Sequence, residues 1–158
     1  MLEKASQIRV NPADETIGDG RLAVRFLLTG EQSNGSIAAF ELTVPGSQRL
    51  LAPAHSHDHY EETMYGIEGV LSLTVDGQQH NIEPGQALCI PRGAVHRFDN
   101  DTAETAKVLC VVTPAAIGPE YFREAFAIFS TGGPPDHARL MDLMRRFGLT
   151  PAPQPPQG

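Results

Sequence analysis

The chain has no cluster of basic residues and few in total. Lysine and arginine number 12 against 19 aspartates and glutamates, a formal net charge of −7. That balance argues against nucleic acid and anionic membrane surfaces as partners. No apolar run approaches membrane-spanning length. The first ten residues, MLEKASQIRV, lack the apolar stretch of a signal peptide, so a cytoplasmic location is expected by default. There are two cysteines, Cys89 in ALCIP and Cys110 in KVLCVV. Both contexts read as buried strands, where a free thiol behaves as a small apolar residue, and no disulfide is expected in a reducing cytosol. Internal repeats are also missing. At 158 residues, the chain is long enough for one domain with a proper core.

What is present is mostly strand pattern. Leu22, Val24, Phe26 and Leu28 alternate with Ala23, Arg25 and Leu27, and Ala38, Phe40, Leu42 and Val44 with Glu41 and Thr43. Leu71, Leu73 and Val75 run into Asp76-Gly77, a strong hairpin signal, and 78–82 reads as the return strand. Segments 86–90, 95–99 and 105–113 complete the set; in the last, Lys107 should face out and Cys110 in. Short strands broken by Gly and Pro imply a sandwich or barrel, and a jelly roll handles the sheet edges. The period then changes. Phe122, Ala125, Phe126 and Phe129 carry helical spacing after Pro119, and Leu140, Leu143, Met144 and Phe147 repeat it between Asp136, an N-cap residue, and Gly148, a C-terminal stop. These stripes read as packing faces. The Pro-rich end, TPAPQPPQG, reads as a disordered tail.

Two stretches carry chemistry. In HSHDHYEETMYGIEG, His55 and His57 are alternate residues that a strand points to one face. Glu62 follows past a short bend, where its carboxylate can return to the same centre. In GQALCIPRGAVHRFDN, Pro91-Arg92-Gly93 supplies a tight turn before His96. Three imidazoles and one carboxylate suit a divalent first-row metal and leave positions open for a substrate. Glu61 is the alternative carboxylate, one residue out of step with Gly69. His59 and Asp58 read as solvent-side or supporting residues, His80 and His137 as surface residues, and Asn100 as a brace for the turn after its strand. Phe98 shares parity with His96, so it should form an apolar pocket wall; Cys110, Phe40 and Met64 are further candidates for the pocket.

Both stretches resemble the two signature motifs of the cupin superfamily. The first matches His-x-His-x4-Glu-x6-Gly through His55, His57, Glu62 and Gly69, although the glycine usual upstream is replaced by Arg49-Leu50. The second matches Gly-x5-Pro-x-Gly-x2-His-x3-Asn through Gly85, Pro91, Gly93, His96 and Asn100. From average residue usage, the second pattern arises by chance less than roughly once in a million start positions. RFLLTGEQSNG and VVTPAAIGPEYFREAF further resemble small bacterial cupins grouped with quercetin 2,3-dioxygenases.

The resemblance implies an all-β fold: a double-stranded β-helix or jelly-roll barrel over 1–115 with its motifs at 55–69 and 85–100, a helical segment at 116–149, and the tail at 150–158. It implies one divalent metal per chain (Fe, Mn, Ni, Co or Zn) on His55, His57, Glu62 and His96. The leading expectation is a metal-dependent oxidoreductase, a dioxygenase acting on an aromatic or enol-bearing small molecule, with Glu62 as ligand, base or both. The alternatives are a metal-containing binding protein without turnover, and a cupin isomerase or decarboxylase; fold alone does not choose among these. Apolar Ala23, Leu27, Ile37 and Ala39 fall on nominally outward faces, which with the habit of cupins this size implies a homodimer.

Overall fold

The structure is a computed structural model; it describes residues 10–11 and 16–153. The N-terminal decapeptide, apart from Val10, lies outside the described residues, as does 154–158. Eleven strands and two helices are described: β1 (Thr16–Gly18), β2 (Ala23–Leu28), β3 (Ala38–Val44), β4 (His55–His57), β5 (Glu61–Glu68), β6 (Leu71–Val75), β7 (Gln78–Ile82), β8 (Ala87–Ile90), β9 (His96–Asp99), β10 (Ala106–Thr113), α1 (Pro119–Phe129), α2 (His137–Arg146) and β11 (Leu149–Pro151). The strands form a six-stranded sheet, β1-β2-β3-β10-β5-β8, and a five-stranded sheet, β11-β4-β9-β6-β7, with every pairing antiparallel. This is a jelly-roll architecture with two C-terminal helices.

Period-2 patterning sets which face is inside. In β10 the burial alternates strictly, with Ala106, Val108, Cys110 and Val112 inward. Between β6 and β7, Asp76 (φ 47) and Gly77 (φ 79) both take positive φ, as a tight two-residue hairpin requires. Gly69 reverses β5 into β6 at φ +63, and a Cβ there would stand 2.2 Å from the Thr105 carbonyl oxygen, so this turn admits only glycine. Asn100 is 1% exposed and its side-chain nitrogen donates to the carbonyls of Val44 (3.0 Å), Pro45 (3.1 Å) and Glu104 (2.7 Å). It is the turn brace that its position implied.

Both helices dock by their apolar stripes. Phe122 of α1 packs on Phe26 (ring centroids 5.8 Å apart) and Phe40 (5.3 Å). The Asp136 carboxylate caps α2 by accepting from the Arg139 N–H at 3.1 Å. Gly148, at φ +72, follows that helix as expected.

Three expectations need correction. Leu28 does not share the inward face of Val24: the register passes from Phe26↔Phe40 to Leu28↔Ala39, so a bulge at Leu27 turns Leu28 outward. Cys89 is exposed, because it points away from the barrel on β8, the last strand of its sheet. The tail does not begin at residue 150. Thr150 and Pro151 lie in β11, opposite Ser56 and His55, and Ala152 N–H donates to the Ala54 carbonyl at 2.8 Å. Proline is tolerated there because β11 is an edge strand.

Candidate metal centre and ligand cavity

The centre is assembled from both sheets. His55 and His57 project from β4 to one face, and His96 stands directly opposite His55 in β9. Glu62 enters from β5 in the facing sheet. The ring centroids of His55 and His57 lie 4.7 and 4.5 Å from that of His96, and one ligand nitrogen from each ring lies within 4.8 Å of the other two. Three imidazoles so placed can hold a metal ion. Glu62 Oε2 is 3.6 Å from His57 Nε2 and 3.8 Å from His96 Nε2. Those gaps are too long for hydrogen bonds. They fit two donors sharing one cation at about 2.1 Å each, which sit roughly 3–4 Å apart.

The ring orientations are set locally. His55 Nδ1 donates to the Pro53 carbonyl at 2.9 Å, and His96 Nδ1 to that of Ala94 at 3.1 Å. Each bond fixes the tautomer and leaves Nε2 with its lone pair. His57 is held differently: Tyr60 stacks on it at 4.4 Å, and His57 Nδ1 is buried without a hydrogen-bond partner among the described residues. Burial, then His96, hold His55 down to about 4; burial, then His96 and His55, hold His57 down to about 2; His96 is lowered chiefly by burial. All three are therefore neutral lone-pair donors at pH 7. Burial pushes the Glu62 carboxyl up to about 7, partly offset by the Cys110 thiol. Neutral imidazoles around a costly buried carboxylate are a donor set that a cation completes.

Beside the centre lies a cavity of about 100 Å³. His55, His57 and Glu62 open into it, and its wall is aromatic: Phe40 and Phe98 from the barrel, Tyr121, Phe122, Phe126 and Phe129 from α1. Asp19 and Arg21, which pair with each other, also line it. The 50–53 stretch forms another wall. Arg97 pins it by donating to the carbonyls of Ala52 (3.1 Å) and Leu50 (2.5 Å), while Asp99 accepts from Leu50 N–H at 2.9 Å.

The structure thus brings His55, His57, His96 and Glu62 together and puts Phe40 and Phe98 on the cavity. Cys110 and Met64 are inward but fully buried, opposite each other in the β10–β5 ladder, and neither lines the cavity. The Cys110 thiol instead hydrogen-bonds the Glu62 carboxylate, and Met64 belongs to the barrel core. Glu61 faces away, forked onto Arg92 at 2.6 and 2.8 Å. The sequence reading missed the contribution of α1, because an apolar stripe at helical spacing looks the same whether it covers a solid core or a cavity. A usable signal was there: five of the ten Phe and Tyr residues fall at 121, 122, 126, 129 and 147.

Comparison with known proteins points the same way. Residues 42–112 match the Cupin_2 family, described as "Cupin domain". The chain is 32% identical over 107 residues to quercetin 2,3-dioxygenase of Bacillus subtilis (strain 168), an alignment covering 61% of this chain and 31% of that one. It is 32% identical over 101 residues to tetracenomycin polyketide synthase protein TcmJ of Streptomyces glaucescens, covering 62% and 65%. The chain thus spans less than two thirds of either relative. Among solved structures, KdgF from Halomonas sp. superposes with a TM-score of 0.54 at 13% identity, over 64% of this chain and 86% of that one, a likeness of fold.

Proposed function

Because the chain belongs to the cupin superfamily, we propose that it is a metal-dependent oxidoreductase, a dioxygenase acting on an aromatic or enol-bearing small molecule. The observation that carries the reading is the convergence of three neutral imidazoles and a buried carboxylate on the end of an aromatic-walled cavity. His55, His57, His96 and Glu62 would hold one divalent metal per chain; this donor set suits Fe, Mn, Ni, Co and Zn alike. When bound, the metal supplies Lewis acidity that favours the enolate form of an enol.

The rest is done by the chain's own groups. Glu62 faces both the histidines and the cavity, so its carboxylate can accept the proton that an enol releases on binding. General base assistance of this kind is worth about 10²- to 10⁴-fold. Phe40, Phe98, Phe122 and Phe126 give the ligand an apolar bed and exclude water from the reacting face. The relative named quercetin 2,3-dioxygenase supports oxygenation as the reaction class. The same reading takes the protein as a cytoplasmic homodimer: Leu28, Ile37, Tyr65 and Ile67 are each more than a third exposed on the outward side of the six-stranded sheet or beside it.

The test is oxygen consumption by protein reconstituted with each candidate metal against a panel of aromatic enols, with His57→Ala as the control. Uptake that needs both the metal and His57 is expected. Saturable binding with no uptake for any metal would replace the enzyme with a binding module that does not turn over.

A further inference from the structure

Two tyrosines are buried around the centre, and their hydroxyls are treated differently. Tyr60 is fully buried and its hydroxyl donates to the Phe147 carbonyl at 3.2 Å. Tyr121, in the first turn of α1, lines the cavity with its ring largely buried, while its hydroxyl makes no hydrogen bond among the described residues and, unlike His57 Nδ1, is not sealed off as a buried atom. Its ring packs edge-on against Phe122 (5.2 Å) and Phe147 (5.4 Å). Phenylalanine would make those ring contacts equally well. A phenol hydroxyl that no group of the chain engages, on a residue that lines the cavity, is free to donate to an acceptor that arrives from outside the chain. Tyr121 also lies within electrostatic reach of Glu62, which places it near the cavity end where a ligand would meet the histidines. It sits outside residues 42–112, the span of the family match.

We propose that the Tyr121 hydroxyl is a hydrogen-bond donor to an oxygen atom of the bound ligand, and that it selects aromatic ligands bearing an enolic or phenolic oxygen over hydrocarbon bodies of the same shape. This rests on the reading of the cavity as the ligand site. The chemistry is complementary: an apolar aromatic wall takes the ring, a neutral phenol takes the oxygen, and the donor costs no desolvated charge.

The probes are 2-naphthol, an aromatic enol, and naphthalene, the same body without oxygen. Their dissociation constants are measured by ligand fluorescence on zinc-loaded wild-type and Tyr121→Phe protein of equal zinc content. Tyr121→Phe is expected to weaken 2-naphthol about 3- to 10-fold, the scale of one neutral hydrogen bond, and to leave naphthalene within about twofold. An equal loss for both probes would make Tyr121 a packing residue only and overturn the inference. So would unchanged 2-naphthol affinity in the variant, with the ligand-site reading left standing. If 2-naphthol does not bind wild-type protein at all, both the inference and the ligand-site reading fall.

Discussion

In the metal-free protein, replacing Glu62 by glutamine is expected to raise stability above pH 7 while destroying much of the metal affinity. The carboxyl is pushed from 4.5 to about 7 by burial. A folded value above the unfolded one means a contribution fully present below pH 4.5 and lost as pH rises through about 7. At about 1.4 kcal/mol for each unit between those values, the full loss is ~3 kcal/mol, of which ~2.5 kcal/mol falls between pH 5 and pH 8.5. Glutamine does not ionise and escapes it. The depressed histidines act in the opposite sense, contributing stability present above 6.5 and lost as pH falls, but both proteins carry them and the difference cancels them. Urea unfolding followed by circular dichroism, in chelator, at pH 5 and pH 8.5 is the assay. The stability of Glu62→Gln relative to wild type should improve by ~2–3 kcal/mol between the two. With zinc added at pH 8.5 the order should reverse, wild type gaining more from the ion. An identical difference at both pH values would refute the idea that Glu62 is a strained carboxylate awaiting a cation.

Elemental analysis of protein purified without chelator should find one divalent metal per chain, and His57→Ala and His96→Ala should carry far less; equal content in all three would remove the centre. Asn100→Ala strands three carbonyls that now share its side-chain nitrogen and should cost about 2–4 kcal/mol in urea unfolding, with a loss below about 0.5 kcal/mol showing that the turn holds without its brace. Light scattering at micromolar concentration should give twice the 17.1 kDa chain mass, and a monomer mass there would dismiss the outward apolar residues as an interface.

The histidine pair was legible because strand parity is a local property: residues 55 and 57 share a face whatever else the chain does. His96 and Glu62 were legible through the motif, which records a contact between sheets that spacing alone does not encode. Parity failed at Leu28, where one extra residue in β2 reverses it; at Cys89 the apolar neighbours misled, since the strand alternates regularly and that residue takes its outward face. The cavity wall was out of reach for a different reason. Whether Phe122 and Phe126 face solid core or open space depends on where α1 lands, and only tertiary packing fixes that. Pro-rich composition likewise masked β11, since proline at an edge forfeits no ladder bond.

The position of β11 ties two distant parts of the chain to one event. β4 is three residues long, with β9 on one side, where His55 alone is in register with His96, and β11 on the other, where Leu149, Thr150 and Pro151 match all three of its residues. If β11 peels away, the segment bearing His55 and His57 is left with little ladder of its own. Local opening of β11 and loosening of the histidine pair should then be one cooperative unit. Hydrogen exchange would register this as linked protection: a metal clamped between His57 and His96 should slow exchange at the Thr150 amide, which faces β4 between the Asp58–Gly148 and Ala152–Ala54 bonds and lies 93 residues along the chain from His57, while the amides of the β6–β7 hairpin keep the rates they have without it.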